Sequence, residues 1–316
     1  MNCSEIVLSP AEIALLRHLR DGEQPRKKVA KDLGIPPSGL TRLVRSLESK
    51  GILVVHRAGV SSSMDFSDMK HAWILRRVLN EYGHMKLEEV LSLASLRVIV
   101  SLAIQPASTR PEMLSSSGIS PRTLQTVLSR LRAVGVLRIR GRGIYELSDR
   151  FALFTDFARE LVSFSNRKKA LAFSSDSVVV WERGNEFIVR TRARDERDGF
   201  RKTAFSAFDD LGVPLVLDWH YYFHPHGAWR RTPEEVFLQS LLIRPLGSRE
   251  MGAVKTLWRQ KDLRLHIGRL RAKARRYGAG ADLERLIDGL GEQERVVAPT
   301  VRGPGELERG PRGENR

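Results

Sequence analysis

Residues 34–53 read Gly34-Ile35-Pro36-Pro37-Ser38-Gly39-Leu40-Thr41-Arg42-Leu43-Val44-Arg45-Ser46-Leu47-Glu48-Ser49-Lys50-Gly51-Ile52-Leu53. Eighty-four positions later the chain reads Gly118-Ile119-Ser120-Pro121-Arg122-Thr123-Leu124-Gln125-Thr126-Val127-Leu128-Ser129-Arg130-Leu131-Arg132-Ala133-Val134-Gly135-Val136-Leu137. Seven of these twenty aligned positions are identical without a gap, including Gly34/Gly118, Pro37/Pro121 and Gly51/Gly135. Turn residues and core residues are kept together, which is the signature of a repeated structural unit.

Working outward, both copies parse alike. Leu40, Leu43, Val44 and Leu47 fall on one helical face, as do Leu124, Val127, Leu128 and Leu131. Proline at the start of each segment suits a first helical turn, and the glycines at 51 and 135 suit a left-handed stop. Upstream, Ile13, Leu15, Leu16 and Leu19 predict one helix, and Leu96, Ile99, Val100 and Ala103 predict its counterpart. Shorter helices are expected over 27–33 and 111–116. Downstream, a hairpin is expected over 52–67 with its turn at 58–63, and a tighter one over 137–147 that turns at Gly141-Arg142-Gly143.

Helix, helix, turn, helix and two-stranded hairpin is the winged helix-turn-helix pattern. The first copy, over roughly 9–75, resembles the MarR and ArsR class of regulators, above all in Ala30-Lys31-Asp32-Leu33-Gly34-Ile35 and in the run from Leu40 to Gly51. Its hairpin lacks the Asp-x-Arg tip common in MarR proteins. The second copy spans roughly 95–150. The resemblance implies a third helix set in the DNA major groove and a wing on the backbone or minor groove.

Helical spacing turns Ser38, Thr41, Arg42 and Arg45 away from the apolar stripe of the first copy. In the second, Arg122, Thr123, Gln125, Thr126 and Ser129 are so placed. Hydroxyl, amide and guanidinium groups are the types that reach base edges and phosphates. A solvated helix face would carry similar residues, and the repetition of the pattern favours DNA contact. Arg57 is expected to contribute from the first wing. In the second, Arg138, Arg140 and Arg142 alternate and would share one strand face, with no acid between Pro121 and Arg142. Such a ladder repels itself unless an anion lies against it; the alternative is an edge strand blunted by charge.

Helices are predicted to follow each hairpin, over 66–82 and 151–164. Beyond residue 165 a mixed α+β domain is expected: strands 177–181 and 186–191 about Arg183-Gly184-Asn185, a helix 200–211, a strand 213–217, a helix 233–243 and further helices to 290. Phe200–Phe208 ahead of Gly212-Val213, the run Thr232–Leu242, and Arg275-Arg276-Tyr277-Gly278 with Leu283, Leu286 and Leu290 are similar to the C-terminal domain of abortive-infection type antitoxin regulators. That similarity implies an autorepressor coupled to a nucleotidyltransferase toxin, with a generic sensor domain as the other option. A basic amphipathic helix is expected over 255–276, with Leu263, Ile267, Leu270, Ala274 and Tyr277 as its apolar stripe. The Gly-, Pro-, Glu- and Arg-rich tail 291–316 reads as disordered.

The expected architecture is therefore mainly α with α+β. Its parts are a winged-helix domain at 1–82, a second at 83–164, the α+β partner or effector domain at 165–290, and the tail. With 53 Lys and Arg against 37 Asp and Glu, the net charge of +16 points to a polyanion. One cysteine, Cys3, excludes an intrachain disulfide framework and a Cys-based zinc cluster. The start MNCSEIVLSP lacks a signal-peptide pattern, and Arg97 interrupts the most apolar stretch, so a cytoplasmic protein without membrane association is expected.

Asp218, His220, His224 and His226 in DWHYYFHPH offer imidazole and carboxylate groups for zinc, but the interleaved aromatics and Pro225 favour packing. Asp176, Glu182 and Glu186 form a weak nuclease-like set. No P-loop, GxGxxG or nucleophile elbow occurs. The reading is a transcriptional regulator of double-stranded DNA, monomeric or homodimeric, with no enzymatic role, no metal and no cofactor; a toxin or other protein would bind its C-terminal domain. Its alternatives are a plasmid or viral replication initiator with paired winged helices and a metal-dependent nuclease.

Overall fold

The computed structural model describes residues 7–59, 61–141, 143–227, 229–243, 246–260 and 265–297. The chain is mainly helical with three small antiparallel sheets, and it divides into two compact units, one of 1–202 with 216–230, the other of 203–215 with 231–316. Among the described residues no helix is long and apolar enough to cross a membrane.

The first unit begins with helix α1 (Pro10–Leu19), whose start is written in the sequence. Ser9 Oγ accepts from the Glu12 amide at 3.2 Å while the Ser9 amide donates to Glu12 Oε2 at 2.6 Å, a reciprocal cap on two otherwise orphaned donors. Glu12 is buried and also accepts from Lys50 Nζ at 2.6 Å. Burial pushes its carboxyl up, but the bonds from Lys50, Ser9 and Ser46 outweigh this and hold it below the usual carboxylate range. Strand β1 (Gln24–Pro25), helix α2 (Arg26–Asp32) and helix α3 (Pro37–Ser49) follow, then strands β2 (Leu53–Ala58) and β3 (Ser61–Phe66). They form a three-stranded sheet in the order β1-β3-β2. The hairpin turn is tighter than expected, because pairing continues to Ala58↔Ser61.

After helices α4 (Lys70–Glu81) and α5 (Leu87–Val90) the same plan returns. Helices α6 (Leu93–Ile104), α7 (Arg110–Ser117) and α8 (Pro121–Ala133) lead into strands β4 (Leu137–Arg140) and β5 (Ile144–Leu147). The correspondence extends beyond the aligned residues. Gln24 and Pro25, just before α2, pair with Met64 and Ser63 of the returning strand, and Ser108, just before α7, pairs with Tyr145 of its own returning strand. Leu40, Val44 and Leu47 are buried under α3, and Leu124, Val127, Leu128 and Leu131 under α8.

Gly51 and Gly135 occupy equivalent stops with φ of +64° and +75°, yet their surroundings differ. A Cβ at Gly51 would lie 2.5 Å from the Phe164 ring, whereas one at Gly135 meets nothing within 4 Å. Gly51→Ala therefore combines left-handed strain with a clash, and we expect a loss of about 2–3 kcal/mol; Gly135→Ala carries the backbone cost alone, about 1 kcal/mol. Denaturant unfolding of the two variants checks this, and equal losses would contradict it.

Helix α9 (Ala152–Phe173) departs from expectation in length, continuing nine residues past the predicted end at 164. The domain boundary expected at 164/165 thus falls inside one helix. α9 packs on both α4 and α6, and Tyr82 donates to the Arg150 carbonyl at 2.7 Å while its ring lies tilted against Phe151 and edge-on to Phe154. As a result the two copies share one continuous core, from Leu8 to Val162. Each copy alone is small, and the helices after the hairpins supply the apolar area that joins them.

The C-terminal half of α9 carries a four-stranded antiparallel sheet, β6 (Val178–Arg183), β7 (Glu186–Thr191), β8 (Arg201–Lys202) and β9 (His220–His224), in the order β6-β7-β9-β8. Phe187, Val189 and Tyr222 of one sheet face pack with Phe200 against Ala170 and Phe173. Here the sequence expectations need correction. Instead of a helix over 200–211 there is the short β8 followed by single turns at 204–207 and 209–211. Phe200, Ala204, Phe205, Ala207 and Phe208 are all buried, but Thr203 is held extended and Ala204 takes a positive φ of 46°, so no helix can run through 203–204. The segment 213–217 forms no strand. Pro214 lacks a donor for a ladder and Val216 is 80% exposed.

The second unit holds helices α10 (Pro233–Leu241), α11 (Ser248–Arg259), α12 (Ile267–Tyr277) and α13 (Gly280–Val297). The helix expected over 255–276 is thus two helices. Leu270, Ala274 and Tyr277 are buried as the stripe required, Ile267 is exposed, and Leu263 lies outside the described residues. The tail expected to be disordered from 291 is helical through Val297; residues 298–316 lie outside the described residues.

Candidate nucleic-acid interface

Ser38, Arg42 and Arg45 are exposed on α3, opposite its buried stripe, and Arg122, Gln125, Thr126 and Ser129 are exposed on α8. Amphipathic spacing alone places them there. Several of the thirteen expected residues, however, already have partners. Thr41 Oγ1 donates to the Pro37 carbonyl at 2.7 Å and accepts from the Arg26 guanidinium. Thr123 Oγ1 is bonded to Ser120 Oγ at 2.8 Å, and Thr126 Oγ1 donates to the Arg122 carbonyl at 3.2 Å. These three hydroxyls brace their helices' first turns. Arg26 escaped the sequence reading, although the run Arg26-Lys27-Lys28 at the start of α2 was its visible signal.

The hairpins differ from the expected ladder. Arg138 stands directly across from Glu146, with Nε 2.6 Å from Glu146 Oε1 and a second nitrogen 2.9 Å from Asp149. Its charge is consumed within the hairpin: those two carboxylates raise its already high pKa. Residues 121–142 hold no acid, but the fold brings Glu146 and Asp149 from further along the chain to Arg138. Arg140 is exposed opposite Ile144, and Arg57 is exposed opposite Ser62 on the first hairpin. Arg142 lies outside the described residues. Among the described residues, Ser38, Arg42, Arg45, Arg57, Arg122, Gln125, Ser129 and Arg140 make no side-chain hydrogen bond or ion pair. Five of these eight are arginines, so α3, α8 and each hairpin present at least one exposed guanidinium without an ionic partner.

No family model and no curated protein matches this chain.

The histidine segment is a strand rather than a ligand set. His220, Tyr222 and His224 alternate onto one face of β9, while His226 follows Pro225 beyond the strand. His224 is buried, stacked on Phe187 at 4.8 Å and edge-on to Phe200 at 5.1 Å. Among the described residues no three His, Cys, Asp or Glu side chains gather to hold a metal. Asp176 and Glu182, near the hairpin, are taken up in local hydrogen bonds. Asp176 accepts from Ser174, Thr191 and the Arg192 amide, which bring its pKa down to about 2, and Glu182 accepts from Ser163 at 2.6 Å and Asn166 at 3.0 Å.

Burial, with Lys169 nearby, pushes the His224 imidazole down to about 4 from 6.5. The unfolded chain takes up this proton near pH 6.5 while the folded chain refuses it. Stability present at pH 7 is therefore lost as the pH falls toward 4, by about 2–3 kcal/mol. Urea unfolding at pH 7 and pH 4.5 should show the loss in the wild type and most of it removed in His224→Phe. Equal pH dependence in both proteins would contradict it.

Proposed function

We propose that the chain is a duplex-DNA-binding transcriptional regulator in which two winged helix-turn-helix units, built on α3 and α8, read adjacent half-sites. The observation that carries this is the repeated topology: helix, helix, helix and hairpin occur twice, with the residues before the second helix paired to the returning strand in each, and each third helix presents unpaired side chains outward. The shared core supports it further, because both units are then held in one body by α4, α6 and α9, as a dimer interface would hold two separate chains. Arg42 and Gln125 are the residues assigned to base edges, and Arg45, Arg57, Arg122 and Arg140 to phosphates.

In this reading the α+β domain expected over 165–290 binds a protein partner or effector. The motif similarity to abortive-infection antitoxin regulators makes autorepression beside a toxin gene the version to examine first. Selection of bound duplexes from a randomised pool tests the proposal. The wild type should enrich a defined motif, and Arg42→Ala or Gln125→Ala should relax preference at a subset of its positions. A chain that retains no duplex, or enriches no motif, refutes sequence-specific regulation.

A further inference from the structure

A second arginine series lies outside both hairpins. Arg190 on β7 and Arg192 just after it project from the sheet face turned away from α9, since Val189 and Thr191, which alternate with them, are buried on the other side. Trp219 lies between them, with each guanidinium carbon 4.9 Å from its ring centroid. Tyr221, opposite Arg190 in the strand register, extends the same face, and Arg194 is exposed two residues further along. Arg190 Nε is buried yet has no hydrogen-bond partner. Among the described residues Arg190, Arg192 and Arg194 form no ion pair. Of the acids interspersed here, Glu196 accepts from the Lys202 amide at 2.8 Å and lies 4.0 Å from Arg201, while Asp195, Asp198 and Asp218 are exposed. The cationic field also reaches His220, whose pKa is lowered by burial and by Arg194 and Lys202.

We propose that this sheet face, built from Arg190, Arg192 and Trp219 with the exposed Arg194 following them in the chain, is a second docking surface for the phosphodiester backbone of duplex DNA; it rests on the DNA-binding reading above. Alternate residues of an extended strand are about 6.7 Å apart, which is comparable to the separation of neighbouring phosphates on one DNA strand. Guanidinium forks match phosphate oxygens in pairs. Stacking on Trp219 orders two long side chains before any ligand arrives, so less rotamer entropy is lost on binding. The repulsion among guanidinium charges without ionic partners is a cost in the isolated chain that an anion removes.

The test is the salt dependence of full-chain binding to a mixed-sequence duplex of about 40 base pairs, starting near 50 mM salt, where non-specific backbone contacts are readily measured. Arg192→Ala with Arg194→Ala should lower the slope of log K against log salt by about 1.8, two phosphates' worth, and Arg192→Lys with Arg194→Lys should restore it. Arg194→Ala alone, outside the stacked pair, should lower it by about 0.9 and serves should the double variant unfold. A wild type that binds while the alanine variants keep its full slope overturns the sheet-face proposal and leaves the winged-helix reading standing. A wild type that binds no duplex overturns both.

Discussion

Replacing Arg42, Arg45, Arg122 and Arg140 together by alanine is expected to weaken duplex-DNA binding by about 10²–10³-fold near physiological salt and to lower the salt slope by about 3–4. The size follows from counterion release. Each phosphate contact contributes about 0.9 to the slope, and at roughly 0.15 M salt that is worth about five-fold in affinity, so four contacts approach three decades. All four side chains are exposed and unpaired, three of them on helices where alanine is the best former, so the fold is retained. Arg138→Ala is the internal comparison. Its guanidinium is already held by Glu146 and Asp149, so it should change DNA affinity little although it belongs to the same run of arginines. Fluorescence anisotropy titrations across a salt series read both outcomes. A four-fold variant that binds like the wild type removes α3 and α8 from the interface.

The second large effect lies inside the helical unit. Glu235 of α10 is buried, accepts from the Lys273 ammonium through one carboxylate oxygen and from the Tyr277 hydroxyl through the other. Gln239 Nε2 in turn donates to the Tyr277 hydroxyl at 3.2 Å, and its carbonyl accepts from Thr203. Every member has a partner, which is the condition under which a buried polar network is tolerable. Burial beside the Glu235 carboxylate drives the Tyr277 pKa far upward, so the phenol stays a donor at any ordinary pH. Glu235→Ala leaves the Lys273 ammonium and the Tyr277 hydroxyl without their acceptor, and we expect about 3 kcal/mol of destabilisation. Tyr277→Phe removes one donor and should cost about 1–2 kcal/mol. Because the two residues share a bond, the double variant should be more stable than the summed single losses by about 1 kcal/mol or more. Denaturant unfolding measures all three. Strict additivity would mean that the network is not coupled.

Only part of the candidate interface was legible from residue order. Arg42, Arg45, Arg122 and Gln125 could be assigned to an outer face because helix geometry is local: once Leu40, Val44 and Leu47 point inward, a period of 3.6 residues dictates the rest. Arg138 could not be judged that way. Its partners Glu146 and Asp149 lie across a turn, and antiparallel register, not sequence distance, brings them to it. Thr41 is similar, since its acceptor site is filled by Arg26 from another helix. The Arg190–Trp219–Arg192 stack joins the end of one strand to the start of another, and the alternating arginines at 190, 192 and 194 do not by themselves disclose the tryptophan that orders them.

The sequence by itself determined the repeat, its helix starts and stops, and the apolar stripe of each third helix, because caps, glycine stops and amphipathic spacing act within a few residues. Tertiary structure alone decided that α9 runs through the expected boundary, that both copies share one core, that 200–217 turns instead of forming a helix and a strand, and which arginines remain unpaired. Those outcomes depend on burial and charge pairing between distant segments, where the free energy of removing apolar area from water outweighs the weak local preference of any single stretch.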